Sequence, residues 1–146
     1  MDLAIQNFTK SKKVAIVGAS RSGNKFGNSA AKELQERGYE VFYVHPEVAE
    51  IDGKTSYPNL EAVKDQVESV WVSVPAERGE AVLREAAAAG LTKVWLQQGG
   101  SSPELVQLGK ELGLELVAGK CILMYAEPVR SFHKFHQVIW KVVGQY

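Results

Sequence analysis

Short apolar runs alternate along the chain with longer segments in which apolar residues recur every three or four positions. The runs are Val14-Ala15-Ile16-Val17, Val41-Phe42-Tyr43-Val44, Val70-Trp71-Val72-Ser73-Val74, Val94-Trp95-Leu96 and Leu114-Glu115-Leu116-Val117. Most are nearly continuous in apolar character, as strands covered on both faces of a parallel sheet must be. Between and after them the spacing predicts helices over 27–37, 60–66, 75–89, 103–112 and about 129–143. Ala30, Ala31 and Leu34 share a face of the first, Val82, Leu83 and Ala86 of the third, and Leu105, Leu108 and Leu112 of the fourth. Gly38, Gly90 and Gly113 stand where three of these helices should stop, and Ser102 before Pro103 is a plausible N-cap.

Strand and helix in alternation imply βαβ units with right-handed crossovers. The expected fold is therefore α/β, a doubly wound, Rossmann-like parallel sheet of five strands with helices on both faces. The order 3-2-1-4-5 would open a ligand crevice at the carboxyl ends of the first and fourth strands, where the winding reverses.

Composition narrows the classes of function. The 146 residues suit one domain spanning 1–146. Lys+Arg and Asp+Glu are each 17, which argues against a protein that coats nucleic acid or an anionic membrane, since both favour a basic excess. The single cysteine, Cys121, rules out an intrachain disulfide and fits a reducing compartment. The first 13 residues lack the apolar core of a secretory signal, and no apolar run approaches the roughly 20 residues that span a bilayer. A cytoplasmic location is expected.

Candidate chemistry concentrates after the first strand, at Gly18-Ala19-Ser20-Arg21-Ser22-Gly23-Asn24-Lys25-Phe26-Gly27. Glycine lets backbone N–H groups approach an anion, and the helix that follows presents its positive end. Ser20, Ser22 and Asn24 add donors, and Arg21 and Lys25 add full charge. Alternatively, any βα loop of such a fold needs glycine and polar caps. The loop is not a nucleotide-triphosphate P-loop, because Asn24 holds the lysine position. It also lacks Gly-x-Gly-x-x-Gly, and the second strand ends in Val44-His45-Pro46 where an NAD site would place an acid.

In order and spacing, Gly18-Ala19-Ser20, Gly38-Tyr39-Glu40-Val41, Val44-His45-Pro46, Val72-Ser73-Val74-Pro75, Val94-Trp95-Leu96-Gln97 and Gly119-Lys120-Cys121 resemble the small stand-alone CoA-binding proteins. These are related to the CoA-binding domain of the succinyl-CoA synthetase α subunit. The resemblance covers about residues 10–128. It implies that residues 18–25 take the phosphates of coenzyme A or an acyl-CoA, and that Val44, His45 and Pro46 border the adenine and ribose. Val74 and Pro75 would line the adenine or pantetheine side, and Gln97 to Gly99 would face the pantetheine arm. His45 replaces the usual Asn, and either donates to a phosphate or ribose or caps the strand. Gln98 replaces a small residue or proline, which narrows the thiol end. The stretch from Tyr125 onward also departs from the relatives' short basic tail.

No catalytic constellation is visible. His133 and His136 can share a helix face, but with no third ligand nearby in sequence they suit an exposed face better than a metal site. Cys121, beside Lys120, is either a thiol that exchanges with the CoA thiol or a small core residue. Trp71 and Trp95 are expected in the core. The last helix, with Phe132, Phe135 and Trp140, either packs on the sheet or forms a homo-oligomer or partner contact. The leading expectation is CoA or acyl-CoA binding without catalysis, and the alternative is an NAD(P)-binding oxidoreductase or redox-sensing domain.

Overall fold

Runs of apolar residues need cover on both faces of a sheet, and two separate cores supply it. The computed structural model describes residues 3–126. Its elements are α1 (Leu3–Lys10), β1 (Lys13–Val17), α2 (Phe26–Glu36), β2 (Glu40–Val44), β3 (Glu50–Ile51), β4 (Lys54–Tyr57), β5 (Ser69–Val72), α3 (Ala76–Ala88), β6 (Lys93–Gln97), α4 (Pro103–Glu111) and β7 (Glu115–Lys120). Short 3₁₀ turns stand at Glu61–Val63 and Ile122–Met124. The helix expected over 129–143, with His133 and His136, lies outside the described residues.

Successive strand residues point to opposite faces. Val14, Ile16, Trp71 and Trp95 join Ile5, Phe8, Leu34 and Leu123 on one side. Ala15, Val70, Val72, Val94 and Leu96 join Leu60, Leu83 and Leu105 on the other. Both tryptophans are fully buried, and their indoles remain satisfied: Trp71 Nε1 donates to Gln97 Oε1 (3.2 Å) and Trp95 Nε1 to the Lys120 carbonyl (2.9 Å). Helix α1 was not expected from the sequence. It covers Trp95, against which Phe8 packs edge-on at 5.2 Å.

The sheet has seven strands in the order β3-β4-β2-β1-β5-β6-β7, two more than expected. This corrects the expected placement. The third expected strand, now β5, lies directly beside β1 rather than beyond β2. The outer place is taken by β4, which pairs in parallel with β2 at Tyr43↔Ser56 and Val44↔Tyr57. Lys54-Thr55-Ser56-Tyr57 lacks the apolar run that marks a covered strand, because it lies towards an edge. With β4 counted, the parallel strands follow the 3-2-1-4-5-6 order, and the winding reverses between β1 and β5. The crevice therefore opens there, not between β1 and the strand Lys93–Gln97.

The helix stops are as expected. Arg37, Ala89 and Leu112 are C-caps, and the glycine after each has positive φ. The next residue closes the turn, with N–H groups of Tyr39, Leu91 and Leu114 bonding Leu34, Ala86 and Gly109 carbonyls. At α4, Ser102 Oγ accepts from the Leu105 N–H at 3.2 Å.

Candidate functional site

The chain leaves β1 through Gly18, whose φ is +124°. A Cβ there would stand 2.1 Å from the Ser73 carbonyl oxygen, so only glycine lets the loop cross the end of β5. At the other end of the loop, a Cβ on Gly27 would stand 2.5 Å from the Gly18 carbonyl oxygen. These two contacts seat the first turn of α2 against the carboxyl end of β1, the position that presents a helix N-terminus to a phosphate. Lys25 is the N-cap, in extended backbone; no side chain caps the helix and its first turn carries no acid. The positive end of the helix dipole is thus neither capped by a side chain nor neutralised by a carboxylate in its own first turn.

Asn28, fully buried, holds the loop. Its Oδ1 accepts from the Ser20 N–H at 2.9 Å, and its Nδ2 donates to the Ser20 carbonyl at 2.9 Å and to Asp52 Oδ2 at 3.0 Å. An aspartate at 28 would set an acceptor against two others. Asp52 occupies the two-residue Asp52-Gly53 turn between β3 and β4 at φ +49°. The Tyr43 hydroxyl donates to Asp52 Oδ2 at 3.3 Å. Burial, then the charge of Asp52 and this bond, push the Tyr43 hydroxyl up from 10.0 to about 12. Sequence reasoning missed all three residues. The Asp-Gly dipeptide was the one local signal, and it marks the hairpin without saying where the turn docks.

Beside the loop lies a cleft of about 530 Å³. One wall is Gly18, Asn24, Lys25, Phe26 and Gly27; the other is Ser73 to Glu77, with Gln97 to Gly100 beyond. It therefore unites Gly18, Asn24, Lys25, Val74, Pro75, Gln97 and Gly99 from the expected set. Among the described residues, Lys25 and Glu77 are its only charged lining residues, and no histidine or cysteine is among them. Glu77 stands in the first turn of α3, so the two helix ends that meet here carry opposite charges.

Other expected residues sit elsewhere. Ala19 is buried, while Ser20 bonds both Ser22 and Asn28. Arg21 and Ser22 are exposed beside the cleft lining rather than in it. Val44 is buried, Pro46 is exposed, and His45 Nδ1 accepts from the Glu47 N–H at 3.0 Å, which caps the turn after β2. None of these three lines the cleft. Gln97 is only 3% exposed, and its Oε1 accepts from both Trp71 Nε1 and the Ile122 N–H. Its side chain is thus engaged with the core more than with the crevice. Cys121 is 2% exposed and packs in the core beside α1 and α2, outside the cleft lining.

Residues 12–127 match a family model described as a CoA binding domain. The chain belongs to the CoA-binding domain family. Among relatives of this CoA-binding domain chain, the uncharacterized protein YneT of Bacillus subtilis is 28% identical over 77% of this chain and 84% of its own length. The ADP-forming acetate–CoA ligase I of Archaeoglobus fulgidus is 28% identical over 87% of this chain, which spans only 20% of that enzyme. A hypothetical protein from Pyrococcus horikoshii superposes with a TM-score of 0.79 at 30% identity, covering 90% of this chain and 93% of its own. Among the described residues, no helix is long and apolar enough to cross a membrane.

Proposed function

We propose that this domain binds coenzyme A or an acyl-CoA, with the phosphates on residues 18–25 and the N-terminus of α2, and that it carries out no chemistry of its own. The observation that carries the reading is the uncapped, acid-free start of α2, bearing Lys25 and facing a cleft whose far wall, among the described residues, is uncharged apart from Glu77. Phosphate groups gain from both the helix dipole and the lysine charge. The family match supports CoA as the phosphate ligand. The donor set fits such a ligand: backbone N–H groups brought close by Gly18 and Gly27, the Asn24 amide and the Lys25 ammonium. The protein's ligase relatives are several times longer, so their activity is not carried over.

A second reading has one observation in its favour. Asp52 brings a carboxylate to the loop from the β3–β4 turn, with Oδ1 3.3 Å from where a Cβ on Gly23 would stand. An NAD(P) site uses an acid near this position. Here Asp52 Oδ2 already serves Asn28 and Tyr43, which favours CoA.

Thermal melting and titration calorimetry with CoA, NAD, NADP and ATP separate the two. CoA should raise the melting temperature and the dinucleotides should not. Lys25→Ala should weaken CoA binding by about tenfold while leaving the fold intact, because Lys25 is exposed. A shift with NAD and none with CoA would overturn the proposal.

A further inference from the structure

The loop after β1 is tied to one edge of the sheet through two side chains. Ser20 is the tie point: its N–H donates to Asn28 Oδ1 and its carbonyl accepts from Asn28 Nδ2, both at 2.9 Å. The Asn28 amide has a second Nδ2 hydrogen, which in its buried position also needs an acceptor. Asp52 Oδ2 supplies it at 3.0 Å from the turn between β3 and β4, and the buried Tyr43 of β2 donates to the same oxygen at 3.3 Å. Asp52 itself is exposed. Its charge works against an anion on the neighbouring loop, although solvent and salt screen it. The place of a carboxylate here is therefore explained by the hydrogen bonds it accepts, not by its field.

We infer that Asp52 is a positioning residue for the loop after β1: by fixing the Asn28 amide it holds Ser20, and with it residues 18–25, in the shape that receives phosphates. The inference rests on the CoA reading above. The β3–β4 turn thus takes part in binding although none of its residues lines the cleft. Without the Asp52 acceptor a buried Nδ2 hydrogen is stranded and the grip of Asn28 on Ser20 loosens. Part of the binding energy then goes into ordering the loop. Loss of the charge alone leaves the geometry and removes a repulsion.

Two substitutions separate these effects. Asp52→Gly removes the carboxylate without straining the turn, since φ at this position is +49°. Asp52→Asn removes the charge, keeps an acceptor oxygen and also tolerates this φ. In titrations of the full chain, Asp52→Gly should weaken CoA binding about three- to tenfold, whereas Asp52→Asn should restore at least the parent affinity. Amide hydrogen exchange gives a reading that needs no ligand. The Ser20 N–H should exchange faster in Asp52→Gly, by a larger factor than the Trp95 N–H at the centre of β6, and near the parent rate in Asp52→Asn. Equal affinities in the two variants, or Ser20 exchange that Asp52→Gly leaves unaltered, would overturn the positioning role while leaving CoA binding intact. A gain no larger at Ser20 than at Trp95 would mean a general loss of stability and would overturn it too. If CoA does not bind the unsubstituted chain, the CoA reading fails first and this role with it.

Discussion

The starts of α2 and α3 reach the same crevice from neighbouring strands, yet they are built differently. At α2 the close approach is backbone against backbone, Gly27 on the Gly18 carbonyl. Asn28 then locks the loop, and neither a capping side chain nor a first-turn acid competes for the helix pole. At α3 the chain enters through Pro75, Glu77 occupies the first turn, and the tight contact is Gly79 against the Leu105 side chain. One end is rigid and positive, and the other is adjustable and self-neutralised. If α2 rather than α3 takes the phosphates, as proposed, the difference lies in a pole left free of a first-turn acid and held in place by backbone contact.

Substituting the two glycines should break this comparison most sharply. A methyl on Gly27 meets backbone at 2.5 Å, whereas one on Gly79 meets Leu105 Cδ1 at 2.6 Å, a side-chain end that can turn aside. Gly27→Ala should cost about 3 kcal/mol, read by chemical denaturation. Gly79→Ala should cost less than about 1 kcal/mol, since alanine's better helix propensity offsets the repacking. Equal losses would mean that the close approach at α2 is no more rigid than that at α3.

Asn28→Ala should have the next largest effect, about 2 kcal/mol, because it strips partners from the Ser20 N–H and carbonyl and from Asp52. It should also weaken CoA binding through the loosened loop, an effect that a substitution on the α3 side, Gly79→Ala, should not share.

A further effect is confined to alkaline pH. The Tyr43 hydroxyl is raised from 10.0 to about 12 in the fold. Between those values the unfolded chain has lost this proton and the native chain keeps it, so stability falls as pH rises from 10 to about 12. Tyr43→Phe should flatten that part of the pH–stability curve, and Asp52→Asn should flatten it less, because burial is the larger cause. An unaltered curve in Tyr43→Phe would show that the tyrosine does not carry the alkaline loss.

Much of the scaffold was legible from local pattern. Continuous apolar runs marked β1, β2, β5 and β6, and the glycines after Arg37, Ala89 and Leu112 marked three helix ends with the expected backbone sign. Ser102 capped α4 as its residue type suggests. The loop after β1 borders the cleft, and Asn24 and Lys25 line it. What escaped was non-local. Strand β4 carries polar residues because it lies towards the edge, so no apolar run announced it, and without it the strand order placed β5 on the wrong side. Val44, His45 and Pro46 end a strand at the ligand edge but lie outside the cleft lining, because the winding reverses on the other side of β1.

The sequence alone determined the fold class, the glycine-rich loop after β1 and the positions at which helices stop, because each depends on residues within a few positions of one another. The tertiary structure decided the rest. It buried Cys121 and the Gln97 side chain, joined Asn28 and Tyr43 to Asp52 across 24 and 9 residues of chain, and brought Lys25 and Glu77 to one cleft. Such meetings depend on which strands lie side by side, and that is settled by burial of the whole sheet rather than by any local pattern.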